Sequence, residues 1–180
     1  MCGIIALFGE DVDVSSYLLS HRGPDDYNTK TLGKCRMDFY RLSINDLTDA
    51  GMQPFVEKNH MLICNGEIYN HREFRNGTEK SNSDCEIIMP LIRDYGVMKA
   101  IDTINGDFAF VYTDGKRVIA ARDPVGVRPL FYTRYGIDSI AFASEVKALL
   151  FLNSEIHIFP PGHIYDSYIG DFMCYHNGYW

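Results

Sequence analysis

The sequence has no apolar run long enough to cross a membrane. Its longest uncharged apolar stretch, residues 1–9, falls far short of the ~20 residues a spanning helix needs and ends at Glu10 and Asp11. A basic segment ahead of an apolar run is also missing, so no secretory leader is expected and the protein is expected in the cytoplasm. Basic runs are absent. With 17 Lys plus Arg against 24 Asp plus Glu and a net charge of −7, no stretch suits a phosphate backbone, and nucleic-acid binding is not expected. The 5 cysteines are odd in number without CxxC spacing, and the 6 histidines show neither HxH nor HExxH, so neither a disulfide framework nor a metal site is expected. The chain also lacks a GxxxxGK(S/T) or GxGxxG phosphate loop, which leaves nucleotide binding by this chain without support.

What is present suits one domain over residues 1–180: 46% hydrophobic and 13% aromatic residues, with no repeat, low-complexity tract or Ser/Pro linker. Short segments rich in β-branched and aromatic residues, bounded by Gly, Pro, Asn or Asp, predict strands at 2–8, 36–44, 60–64, 108–113, 117–121, 129–133, 140–143 and 163–165. Helices are fewer. Residues 84–95 carry Ile87, Ile88, Leu91 and Ile92 on one stripe, with Ser83 or Asp84 as N-cap, and shorter helices are predicted at 97–104 and 145–150. Strands at both ends with helices between predict an α+β fold, with helices packed outside two antiparallel sheets.

Cys2 directly follows the initiator methionine, and removal of Met1 makes it the amino terminus. An α-amine titrates near ~7.7–8.0, against ~10.4 for lysine, so roughly a sixth of it is neutral and able to accept a proton at pH 7. One residue then supplies nucleophile and base. The same cysteine also reads as a buried strand residue. Asn-Gly occurs at 65–66, 76–77, 105–106 and 177–178; such pairs make turns, because both residues tolerate positive φ. Only Asn65-Gly66 directly follows an apolar strand, where a side-chain amide and an unhindered N–H could face an oxyanion. Arg41 suits an α-carboxylate and the pair Glu67 and Asp84 an α-ammonium; singly, they also read as a strand-end charge, an exposed helix-start residue and an N-cap. His21, Arg22, Gly23, Pro24 and Asp25 form a charged turn, either buried under a site or on the surface.

In order along the chain stand CGI at 2–4, HRGPD at 21–25, RLSIN at 41–45, NGEIYN at 65–70, SDCE at 83–86, RDPVGVRPLFY at 122–132, FASEVKALL at 142–150 and FPPGH at 159–163. Over nearly its whole length the chain resembles a class II glutamine amidotransferase domain of the asparagine synthetase family. The resemblance implies a four-layer αββα N-terminal-nucleophile (Ntn) hydrolase fold, with two facing antiparallel sheets. It implies that Cys2 attacks L-glutamine to form a γ-glutamyl thioester and release ammonia, and that Asn65 and Gly66 form the oxyanion hole. Arg41, Glu67 and Asp84 would hold the glutamine backbone groups, with Leu42, Ser43, Ile44 and Asn45 lining the pocket. Two departures stand out. The segment between Gly9 and His21 is shorter than usual, so the first outer helix is expected to be trimmed or lost. The family's SGGxDS loop for ATP is absent, so no cofactor is expected in this chain; ATP and Mg would belong to a synthetase partner docking near the carboxy-terminal strands and SEVKALL. The alternative is a non-catalytic glutamine-binding or regulatory module, and a weaker one is hydrolysis of another amide.

Overall fold

The computed structural model describes residues 1–10, 12–14 and 17–176. Asn177-Gly178 and Trp180 lie outside the described residues. The described strands are β1 (Gly3–Phe8), β2 (Asp26–Leu32), β3 (Cys35–Arg41), β4 (Phe55–Glu57), β5 (His60–Ile68) and β6 (Gly106–Thr113), followed by β7 (Val118–Arg122), β8 (Phe131–Tyr135), β9 (Ser139–Ala143), β10 (Ile156–Ile158), β11 (His163–Asp166) and β12 (Asp171–Cys174). They form two six-stranded sheets, β10-β8-β9-β1-β3-β2 and β12-β11-β7-β6-β5-β4. Every neighbouring pair is antiparallel.

Strand β1 and residues 61–64 of β5 read as continuous apolar runs because both of their faces are covered there. Ile4 and Ala6 of β1 meet Met61 and Ile63 of β5, with Ala109, Val111 and Phe142, in the core between the sheets. Their alternates point outward. Ile5 and Leu7 pack under Val14, Leu19, Ala148 and Leu149, whereas Leu62 and Cys64 pack under two helices, α1 (Ile88–Tyr95) and α2 (Val97–Thr103). The result is four layers. On the outer face of the β1 sheet no α-helix occurs among the described residues.

The stripe at 84–95 buries its four isoleucine and leucine side chains against β5 and β6, but its first turn, Asp84–Ile87, is a 3-10 turn and only then does α1 begin. Pro90 lacks an N–H and sits in the first turn of α1, where that donor has no intrahelical partner anyway. Gly96, at φ 81°, donates its N–H to the Ile92 carbonyl and closes the helix. The N-cap expected of Ser83 or Asp84 is not formed. The Asp84 carboxylate faces the site instead. The helix expected at 145–150 is replaced by two 3-10 turns, Val146–Ala148 and Leu150–Leu152, because only Ala148 and Leu149 find a core to enter. The strand expected over 36–44 stops at Arg41, and that expected over 60–64 continues to Ile68.

Candidate active site

Asn65-Gly66 is not a turn. Both residues lie inside β5, with Asn65 opposite Ala109 and Gly66 opposite Phe108 of β6. Gly66 is required by close approach: a Cβ there would sit 2.5 Å from the Asp107 carbonyl oxygen and 2.8 Å from the Phe108 Cα. Backbone direction alternates along a strand, so its N–H can be located from its neighbours. The Cys64 N–H donates to Gln53 Oε1 at 2.6 Å and the Ile68 N–H to Asp84 Oδ2 at 2.6 Å, both away from β6. Phe108 also turns its carbonyl from β5, accepting from the Asp123 N–H at 2.8 Å. The Gly66 N–H therefore points to the same side as those of Cys64 and Ile68, and the Gly66 carbonyl accepts from Cys85 Sγ at 3.7 Å. On the inter-sheet side of β5, Asn65 is 2% exposed and its Nδ2 has no hydrogen-bond partner. A buried amide left this way costs about 1–3 kcal/mol, so an acceptor belongs beside it.

Cys2 enters the same gap from the start of β1. Its Sγ lies 3.4 Å from the Leu42 N–H, which donates to it, and 3.5 Å from the Leu42 carbonyl. Burial pushes the thiol pKa up, opposed chiefly by the Leu42 N–H, so the sulfur rests as a thiol and needs a base when it attacks. The HRGPD turn lies beneath it. Arg22 Nε donates to the Cys2 carbonyl at 3.0 Å, and its Nη1 reaches Glu145 at 3.2 Å. Gly23 fits flush against the Tyr40 carbonyl, and Asp25 accepts from the Ser43 N–H at 2.7 Å. That bond, with the Leu42 contact to the thiol, explains why β3 ends at Arg41.

Cys2, Arg41, Leu42, Ser43, Ile44 and Asn45 line one cleft of about 90 Å3. Asn65, Gly66, Glu67 and Asp84 line it too, so the ten residues assigned to nucleophile, oxyanion and substrate contacts all border one cleft. Arg41 is buried and one Nη donates to the carbonyls of Asp46 and Thr48, at 2.5 and 2.8 Å. Asp84 is buried, and its Oδ1 accepts from Asn45 Nδ2 at 2.7 Å. Glu67 is exposed at the rim. Among the other residues lining the cleft, Gln53, Cys64 and Arg128 were not singled out as site residues in the sequence. Arg128 had a signal, its place in RDPVGVRPLFY. There Asp123 accepts four successive N–H groups, Val125 to Arg128, and Arg122 donates to the Gly126, Arg128 and Phe159 carbonyls, aiming Arg128 at Asp107, 2.6 Å away. A larger hollow of about 750 Å3 lies at the far end of β1, between Lys34, Lys116 and Arg134, but contains no thiol and none of these residues.

Two facing antiparallel sheets, with the few helices packed outside them, fit the four-layer α+β N-terminal-nucleophile fold. Solved structures agree on the fold: a glutamine phosphoribosylpyrophosphate amidotransferase from B. subtilis, complexed with ADP and GMP, matches with a TM-score of 0.77 at 19% identity, over 92% of this chain and 47% of that one. A family model described as a glutamine amidotransferase domain matches residues 1–173, and the chain belongs to that family. Among curated relatives, asparagine synthetase [glutamine-hydrolyzing] 2 of Oryza sativa subsp. japonica is 39% identical over 198 residues, covering 100% of this chain and 33% of the relative. The asparagine synthetase [glutamine-hydrolyzing] 3 of Arabidopsis thaliana is 40% identical over 199 residues, covering 100% and 34%. The chain thus spans about a third of the length of these relatives. Among the described residues, no helix is long and apolar enough to cross a membrane.

Proposed function

We propose that this chain hydrolyses L-glutamine to glutamate and ammonia, with Cys2 as nucleophile once Met1 has been removed. The Cys2 sulfur attacks the side-chain carbonyl carbon as its proton passes, through a water, to the α-amine. The oxyanion so formed is held by Asn65 Nδ2 and the Gly66 N–H. The α-ammonium returns the proton to the leaving nitrogen, the C–N bond breaks, and ammonia departs from a γ-glutamyl thioester. Water then attacks the thioester, the amine takes its proton, and glutamate leaves with the thiol restored. Arg41 holds the substrate α-carboxylate, Glu67 and Asp84 its α-ammonium, and residues 42–45 the pocket wall. These groups handle every proton, so the hydrolysis needs no cofactor.

The observation that supports this reading most is the unpartnered, buried Asn65 Nδ2 in the cleft that Cys2 lines. The ammonia would feed amide formation, asparagine formation by analogy with the named relatives, on a synthetase partner that supplies the ATP and magnesium chemistry in the cytoplasm. The test is glutamate release by Met-trimmed protein. Cys2→Ala is expected to lower the rate by about a thousandfold or more. Calorimetric binding of glutamine without turnover by the trimmed wild type would make the chain a binding module instead, and preference for another amide would reassign the substrate.

A further inference from the structure

The edge of β5 next to β4 is completed by a side chain. The last pair between these strands is Phe55 with Leu62, and two residues further along, the Cys64 N–H and C=O would have no ladder partner. Gln53, two residues before Phe55, stands in that register position and supplies both: its Oε1 accepts the Cys64 N–H at 2.6 Å and its Nε2 donates to the Cys64 carbonyl at 3.1 Å. At neutral pH the amide does both, with its oxygen turned to the Cys64 N–H and its nitrogen to the Cys64 carbonyl. Gln53 is 4% exposed, and its own carbonyl accepts from Asn28 Nδ2 at 3.1 Å, which ties it to the opposite sheet. Along this edge the positions are therefore taken at Cys64 by Gln53 and at Ile68 by Asp84, while the Gly66 N–H between them faces the cleft.

We infer that Gln53 is a positioning residue of the glutaminase site: by clamping the Cys64 peptide groups it sets where the Asn65 amide and the Gly66 N–H stand relative to the Cys2 sulfur. The inference rests on the proposed glutamine hydrolysis. Two donors aimed at an oxyanion lose effect with small displacements, and an error of about 1 Å costs on the order of a hundredfold.

The test compares Met-trimmed wild type, Gln53→Leu and Gln53→Glu by steady-state glutamine kinetics and by amide hydrogen exchange followed by NMR. In Gln53→Leu the Cys64 N–H should exchange at least about tenfold faster while Ile119, in central β7, is unchanged. Its kcat should fall about 10- to 100-fold with KM for glutamine within about threefold of wild type. Gln53→Glu keeps the acceptor but regains the donor only when its carboxyl is protonated, so its kcat relative to wild type should rise as pH is lowered from 8 to 5.5. An unmoved Cys64 exchange rate overturns the clamp. Faster exchange with unchanged kcat, or kcat and KM changes that only track the folded fraction, overturns the positioning role. A wild type that releases no glutamate removes the glutaminase reading itself; Cys64 protection that then depends on Gln53 marks the clamp as purely architectural and overturns the role as well.

Discussion

Asn65 separates what the protein needs to stand from what it needs to react. Its side chain is buried, yet Nδ2 meets no acceptor within the chain. Replacing Asn65 with Ala should therefore leave urea-unfolding stability within about 1 kcal/mol of wild type, because no internal bond at Nδ2 is lost. The rate of glutamate release should fall by about 10²–10³, the ~2.7–4 kcal/mol associated with one oxyanion donor. A large stability loss with proportionate activity loss would make Asn65 a packing residue. Asp46 behaves in the opposite way. Its carboxylate accepts from the Thr48 hydroxyl and N–H and from the Asn82 N–H, and these bonds hold its pKa below the ordinary carboxylate value. The unfolded chain thus binds a proton at higher pH than the folded one. The stabilisation is full above the unfolded carboxyl pKa near ~3.9 and is lost as pH falls through the lower folded value. Stability of wild type should consequently drop between about pH 5 and pH 2.5 more steeply than that of Asp46→Asn, as measured by urea unfolding. Parallel pH profiles would contradict this.

At the scale of elements, β5 matters most, because it carries Asn65, Gly66 and Glu67 while pairing with β4 and β6. Gly66→Ala drives a methyl group into backbone of β6, which cannot rotate away as a side chain could. A loss of about 1–3 kcal/mol is expected, together with reduced kcat, measured by thermal unfolding and glutamate assay. A Gly66→Ala protein of wild-type stability would show that the strands are less closely paired than described. The sequence reading reached most central strands, whose β-branched and aromatic runs are covered on both faces. It missed β2, β4, β10 and β12 for a common reason: all lie at or next to sheet edges, are short or polar, and owe their state to a neighbour rather than to their own pattern. Asn-Gly chemistry taken alone favours a turn at Asn65-Gly66, and it fails there for the complementary reason. Its glycine answers to Asp107 and Phe108, more than forty positions along the chain, and no window around residue 65 contains them.

In the whole molecule the site is where two sheets come together, with Cys2 at the start of one central strand and Asn65 in its counterpart across the gap. The ordered motifs made the convergence of the ten residues legible through a family resemblance. Spacing alone did not. Gln53 remained invisible because its contribution is a pair of bonds to a strand eleven residues on, and a lone glutamine in sequence carries no mark of such a role. Met1 completes the picture, since its removal converts the Cys2 amide nitrogen into the amine that the proposed chemistry uses as a base. The most direct measurement is therefore made on two preparations of the same protein, one treated to remove Met1 and one blocked from losing it, each checked by intact mass and assayed for glutamate release. The account predicts turnover in the species lighter by one methionine residue and next to none in the other. Equal rates in both would contradict it.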